Sequence, residues 1–188
     1  MMKVIYGINK VSKFRKPVVA LGVFDGVHRG HAHILKSAVK IARRIKGTAI
    51  AFTFDPHPQR EDSLSSLEHR LKLIEGLGIE VCVIINFNRS FAQIAAADFV
   101  KRVLVKKIEP QYICVGSDFK FGRGAFGDVQ LLDKLSREYS FKLKAFKVIR
   151  QGNRRISSSG IRKLILNGKL QQAAVLLGRP VSILGTVI

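Results

Sequence analysis

The chain has no tryptophan, two cysteines, five prolines and only thirteen acidic residues, and each scarcity excludes something. Cys82 and Cys114 each lie inside an apolar run, so they read as a reduced pair of small core residues rather than as a disulfide framework, which places the protein in the cytoplasm. No apolar segment reaches the roughly 20 residues of a membrane span. Met1-Met2-Lys3-Val4 leads into a mixed segment without the hydrophobic stretch of a signal peptide. Internal repeats and low-complexity tracts are absent. The thirteen acids face 33 lysines and arginines, for a net charge of +20, more than an anionic substrate alone calls for. Those cations are spread through candidate helices, and aromatics do not alternate with them as a stacking platform requires. Two readings stand side by side, a solvated basic face and an attraction for nucleic acid.

What is present suffices for one domain. With 188 residues and 47% hydrophobic composition, a chain of this size buries about 70% of its unfolded surface. Strand-length apolar runs at Val4–Ile8, Val18–Phe24, Thr48–Phe54, Val81–Phe87, Gln111–Val115 and Phe141–Ile149 alternate with helical periodicity. Helices are expected at His33–Ile45, ended by Gly47, and at Ser66–Leu77, Phe91–Val105, Ile161–Leu166 and Leu170–Leu177. This alternation predicts an α/β fold, a parallel sheet flanked by helices, with a small helical part at the C-terminal end.

Four stretches carry chemistry. Gly22-Val23-Phe24-Asp25-Gly26-Val27-His28-Arg29-Gly30-His31 follows a strand and opens a helix, where freed N–H groups favour an anion and His28 and His31 can reach one group. Asp55-Pro56-His57-Pro58 makes a rigid corner at the carboxyl end of the next strand, the side on which ligands bind in open α/β sheets. Gly122, Gly124 and Gly127 spell G-x-G-x-x-G, but a dinucleotide site needs those glycines directly after a strand and an acid closing the following one, and neither is present. Arg154-Arg155-Ile156-Ser157-Ser158-Ser159-Gly160-Ile161-Arg162 combines hydroxyls, guanidinium forks and a helix start, as a polyphosphate site would. A zinc reading of His28 and His31 lacks a third ligand at suitable spacing.

These stretches, in this order, resemble the FAD synthetases of the nucleotidyltransferase superfamily. The form G-x-F-D-G-V-H-x-G-H is similar to their first signature, F-D-P-H-P is one of their marks, G-S-D-F-K-F-G is similar to the second signature, and I-S-S-S-G-I-R resembles I-S-S-T-x-x-R, with Ser159 where threonine is usual. The resemblance implies a Rossmann-like nucleotidyltransferase domain over residues 1–180. A strand-like tail, residues 181–188, lies where a riboflavin kinase module begins in bifunctional members. It further implies ATP and FMN as substrates, Mg²⁺ accompanying ATP, and no metal ligands from the protein. By the same resemblance, His28, His31 and Arg162 are catalytic; Gly22, Phe24, Asp25, Gly30, Asp118, Gly122, Arg155, Ser158 and Ser159 bind the nucleotide; and Phe54, Pro56 and His57 meet the flavin. FMN would be adenylylated but not made from riboflavin. The connection from Pro58 to Leu67 is shorter than in the family and lies near the flavin corner, so another phosphorylated acceptor stays open, as does a basic nucleic-acid-binding protein.

If the +20 charge is general basicity, DNA or RNA binding is weak and collapses between about 50 and 200 mM salt. Filter binding across that range checks it, and tight, sequence-selective binding at physiological salt would overturn it.

Overall fold

Short apolar runs become strands, and the longer periodic stretches become helices laid over them. The computed structural model describes residues 1–58, 62–152 and 154–184. Strands β1 (Lys3–Tyr6), β2 (Val18–Leu21), β3 (Ala49–Asp55), β4 (Val81–Asn86), β5 (Tyr112–Gly116) and β6 (Lys142–Phe146) form one sheet in the order β1-β4-β3-β2-β5-β6. Every pairing in it is parallel, as the alternating pattern predicts. The central strands are buried almost end to end, whereas the edges carry Lys3, Tyr6, Lys142 and Lys144, which discourage further pairing.

Strand alternation sorts the core into two faces. Val18, Ala20, Ala49, Ala51, Cys82 and Cys114 face α1 (Arg29–Ile45) and α2 (Leu67–Gly76), and their small side chains let α1 come close. Val19, Leu21, Phe52, Phe54, Val83 and Val115 face the other way. There they meet the segment α3 (Arg89–Ala92), α4 (Ala96–Asp98), a π-helical stretch Phe99–Val105 and α5 (Lys106–Ile108), followed after β5 by α6 (Val129–Glu138). Cys82 and Cys114 share a face, but two strands separate theirs, a span of about 14 Å at the usual strand spacing. Both are free and buried, and burial pushes each thiol up to about 12.

Several sequence expectations need correction. The Val18–Phe24 strand ends at Leu21, since the Gly22 N–H makes its last rung to Phe52 and Phe24 turns left-handed at φ 54°. α1 is closed by Lys46 in the left-handed region, not by Gly47. Gly47 is needed because a Cβ there would lie 2.2 Å from the Lys16 carbonyl oxygen. The helix expected over Phe91–Val105 breaks after Ala92, where the Ile94 carbonyl is taken by the Arg123 N–H at 2.8 Å instead of by a helical partner. The strand expected over Phe141–Ile149 stops at Phe146, and a short antiparallel pair, β7 (Arg150–Gln151) and β8 (Arg154–Arg155), follows it.

The chain closes with α7 (Ser158–Leu166) and α8 (Leu170–Leu177), which bury Ile161, Ala173, Leu176 and Leu177 against Ile156 in a cluster of their own. This is the small helical part expected from the sequence. Residues 181–184 form no strand, and the rest of the strand-like tail lies outside the described residues.

Two glycines give opposite expectations. Gly47→Ala should cost about 1–3 kcal/mol through overpacking. Gly76→Ala, with nothing within 4 Å of the added methyl group, should add about 0.5–1 kcal/mol. Denaturant midpoints of the two variants check both signs.

Candidate active site

β2 lies at the switch of the sheet, with β3 on one side and β5 on the other. Chains leaving those two neighbours in opposite directions open a crevice beyond the carboxyl ends of the strands. A cleft of about 380 Å³ occupies it. Its floor is the turn after β2, and its walls are the turn after β5, the segment from Phe146 to Ile149 and the start of α7.

The turn is held from behind. Phe24 at φ 54° and Val27 at φ 39° sit in the left-handed region that side-chain-bearing residues avoid, a β-branched one most of all. Thr53 Oγ1 and Arg70 Nη1 donate to the Val23 carbonyl at 2.8 and 3.2 Å, and the Val27 N–H donates to the Phe24 carbonyl at 3.0 Å. Ser158 Oγ donates to the Asp25 carbonyl at 3.0 Å, and Arg179 donates to the Gly26 and Val27 carbonyls at 2.7 and 3.1 Å. Leu64 packs over Gly26, where a Cβ would meet it at 2.8 Å.

Asp25 is 1% exposed and does not line the cleft. Its carboxylate accepts from the Leu64 N–H at 2.7 Å and from Arg162 Nη2 at 2.8 Å. The nucleotide role expected for Asp25 is therefore replaced by an internal one, tying the turn to α7. Arg162 also meets Asp62 through Nε at 3.2 Å, while its buried Nη1 has no partner among the described residues.

His28 caps α1 with its own ring, Nδ1 accepting from the His31 N–H at 3.3 Å. A neutral His28 must then carry its proton on Nε2. The His31 ring stacks on it at 3.6 Å and takes the Phe24 edge at 5.5 Å. Burial pushes His28 down from 6.5 to about 4, with Asp118 pulling upward and Arg155 and Arg179 downward. Burial, then the neighbouring His28, holds His31 well below its ordinary value. Both imidazoles are neutral donors and acceptors in the free cleft, and His31 Nδ1 has no partner among the described residues.

The remaining expected residues divide. Gly22, Phe24, Gly30, His57, Asp118, Arg155, Ser158 and Ser159 line the cleft together with the histidines and Arg162. Asp118 and Arg155 pair with each other across it. Ser157 caps α7, accepting from the Gly160 N–H at 3.2 Å. Gly122 lies elsewhere, packed where a Cβ would strike Ala96 at 2.6 Å, so the glycine loop serves a backbone contact. Phe54 is buried in an aromatic cluster with Phe52, Phe87 and Phe91, and Pro56 is exposed outside the cleft.

Sequence reasoning missed Arg70 and Arg179. Arg70 had a signal, since it falls in the inward stripe of α2 with Leu67, Leu71 and Ile74. Arg179, past the α8 cap, had none. With such a donor set the cleft can hold a polyphosphate and offers no carboxylate that is not already neutralised: each aspartate of the chain sits in an ion pair.

The family model described as FAD synthetase matches residues 10–160. A bifunctional riboflavin kinase/FMN adenylyltransferase from Buchnera aphidicola subsp. Schizaphis graminum is 34% identical over 196 residues, covering 100% of this chain and 63% of that protein. The chain thus spans less than two thirds of that relative. A putative bifunctional riboflavin kinase/FMN adenylyltransferase from Geobacillus thermodenitrificans is 36% identical over 169 residues, 88% of this chain and 91% of its own length. Among solved structures, one described as a macrolide-efflux protein from Streptococcus pneumoniae superposes with a TM-score of 0.85 at 26% identity, over 96% of this chain and 63% of that one. A pantoate-beta-alanine ligase from Francisella tularensis, at a TM-score of 0.60 and 14% identity over 92% and 78% of the two chains, shares the fold.

The neutral histidines set an acid sensitivity. Unfolded histidine titrates near 6.5 and buried His28 near 4, so between those values the unfolded chain binds more protons and stability falls as pH drops; above that window the pair adds no pH dependence. His28→Asn keeps a capping acceptor and removes one titrating group. Between about pH 7.5 and pH 5 the wild type should lose about 2 kcal/mol more than this variant. Denaturant titrations at both pH values check it, and equal losses would contradict it.

Proposed function

The chain belongs to the FAD synthetase family, and from that premise we propose that it joins FMN to the adenylyl group of ATP and releases pyrophosphate. The observation that carries this reading is the meeting, in one cleft, of His28 and His31, His57, Asp118, and Ser158, Ser159 and Arg162, from stretches far apart in sequence.

An oxygen of the FMN phosphate forms a bond to the α-phosphorus, and the bond to the β-phosphate oxygen breaks with its electron pair leaving on pyrophosphate. The acceptor is already an anion at pH 7, so the site needs alignment and charge stabilisation rather than a base. His28 Nε2–H, Arg155 and the open Nη1 of Arg162 supply donors for phosphoryl oxygens. An anion placed against the two imidazoles favours their protonated forms, so the triphosphate strengthens its own binding site. Asp118 holds Arg155 until the nucleotide competes for it. His57, which lines the cleft, would serve the acceptor, with Phe54 stiffening the corner from beneath.

Among the described residues no group of three histidines, cysteines or carboxylates could hold a metal ion. Mg²⁺ would therefore be held mainly by phosphate oxygens, with Asp118 the carboxylate within the cleft, and it would neutralise triphosphate charge. No described helix is long and apolar enough to cross a membrane. With ATP as substrate and two buried free thiols, the enzyme would work in the cytoplasm.

The test supplies ATP, Mg²⁺ and a panel of phosphorylated acceptors and follows pyrophosphate and flavin products. FAD formed selectively from FMN supports the reading; pyrophosphate released only with another acceptor moves it to a sibling transferase. His31→Ala should fold normally and lose at least about tenfold in turnover, the cost of a donor worth about 2 kcal/mol in the transition state. Near-wild-type turnover would remove the imidazole pair from the mechanism.

A further inference from the structure

Arg70 is 1% exposed, yet it is a cation on the inward stripe of α2. Its Nη1 donates to the Val23 carbonyl at 3.2 Å, and its Nη2 meets Asp55 Oδ1 at 2.9 Å. Val23 belongs to the turn that floors the cleft, and Asp55 opens the corner that brings His57 to it. Thr53 Oγ1, two residues before Asp55, donates to the same Val23 carbonyl at 2.8 Å. One carbonyl of the first loop and one carboxylate of the second are thus held at a separation fixed by the width of a planar guanidinium.

Stability does not account for this arrangement. Burying a cation against a half-exposed carboxylate costs desolvation, and an apolar side chain of equal volume commonly serves a core as well or better. The Nε of Arg70 is buried without a partner among the described residues, which adds to that cost.

We infer that Arg70 is a positioning residue for group transfer, setting the spacing between the turn that receives the nucleotide and the corner that receives the acceptor. The inference rests on the adenylyl-transfer reading above. Arg70 does not line the cleft, so it acts through Val23 and Asp55. A lysine in its place puts one compact ammonium on a flexible stem where the two nitrogens of a rigid planar fork meet the two partners, so it does not fix their spacing. Misplacing the two loops relative to each other leaves each subsite intact, so the loss falls on turnover.

The test is a double-mutant cycle of Arg70→Lys and Asp55→Ala on the full chain, with pyrophosphate release from ATP and FMN, both KM values and the thermal midpoint measured for each variant. Arg70→Lys should lower kcat at least about tenfold with both KM values within about threefold and the fold retained. The double variant should be no slower than Arg70→Lys alone, because both changes remove one bridge. A folded Arg70→Lys with kcat near wild type, a rise in both KM values at unchanged kcat, or additive losses in the double variant would each overturn the proposal. Should Arg70→Lys fail to fold, Asp55→Ala decides alone: it removes the acceptor of Arg70 Nη2, leaves the Val23 contact in place and should lower kcat by about threefold or more at unchanged KM, and wild-type kcat there overturns the proposal. Wild-type protein that releases no pyrophosphate with FMN sinks the adenylyl-transfer reading and this inference together. Wild-type turnover with unaffected variants sinks this inference alone.

Discussion

Every backbone carbonyl from Val23 to His28 has a partner, and the rest of the site depends on that. Carbonyl oxygens facing the cleft would repel a phosphate. Here they are drawn off by a threonine and two arginines, a serine hydroxyl and two amides, so what the turn offers an anion is not opposed by its own acceptors. The same contacts hold Phe24 and Val27 in backbone conformations they would not keep alone. Several of these partners lie far along the chain: Ser158, Arg162 and Arg179 are 133, 137 and 153 residues from the groups they hold. The small C-terminal helical part is therefore a component of the active turn rather than an appendage to the sheet.

Much of the architecture was legible because it follows from local pattern. Buried parallel strands read as continuous apolar runs, and α1 and α2 show their apolar faces at helical spacing. The lining of the cleft was legible where residue type and local geometry coincide, as at His28, His31, His57 and the serine run. It was not legible where a long-range contact decides. Asp25 looked like a ligand because it sits in a phosphate-binding pattern, but burial against Arg162 makes it a tie. Gly122 looked like a phosphate loop residue, but the backbone of Ala96 is what requires it. The helix expected over Phe91–Val105 fails for the same reason, a distant N–H taking the Ile94 carbonyl. Phe54 was expected against the flavin, but it is buried and packs against Phe87 and Phe91 instead.

Apart from the exposed Lys147 at its rim, and Lys120 paired with Asp128, the electrostatics of the cleft are built from neutral and neutralised groups. A site for a highly charged ligand would be expected to bristle with free cations. Yet the histidines are held uncharged by burial, Arg155 is paired with Asp118, and Arg162 lies between Asp25 and Asp62. Pairing these cations limits their mutual repulsion in the fold, and under the adenylyl-transfer proposal the exchange of a carboxylate for a phosphate would need little reorganisation.

The small side chains beneath α1 reach further than their volume suggests. Ala20, Ala49, Ala51, Cys82 and Cys114 give the helix a flat seat, and at 17 residues it is a rigid rod about 25 Å long whose first turn carries His31. A rod of that length is a lever: tilting it by about two degrees about its far end moves the near end by about 1 Å, a displacement that can cost about a hundredfold in rate. The alanines in the middle of the sheet, touching no substrate, therefore act as shims, and their size is part of the alignment of the site.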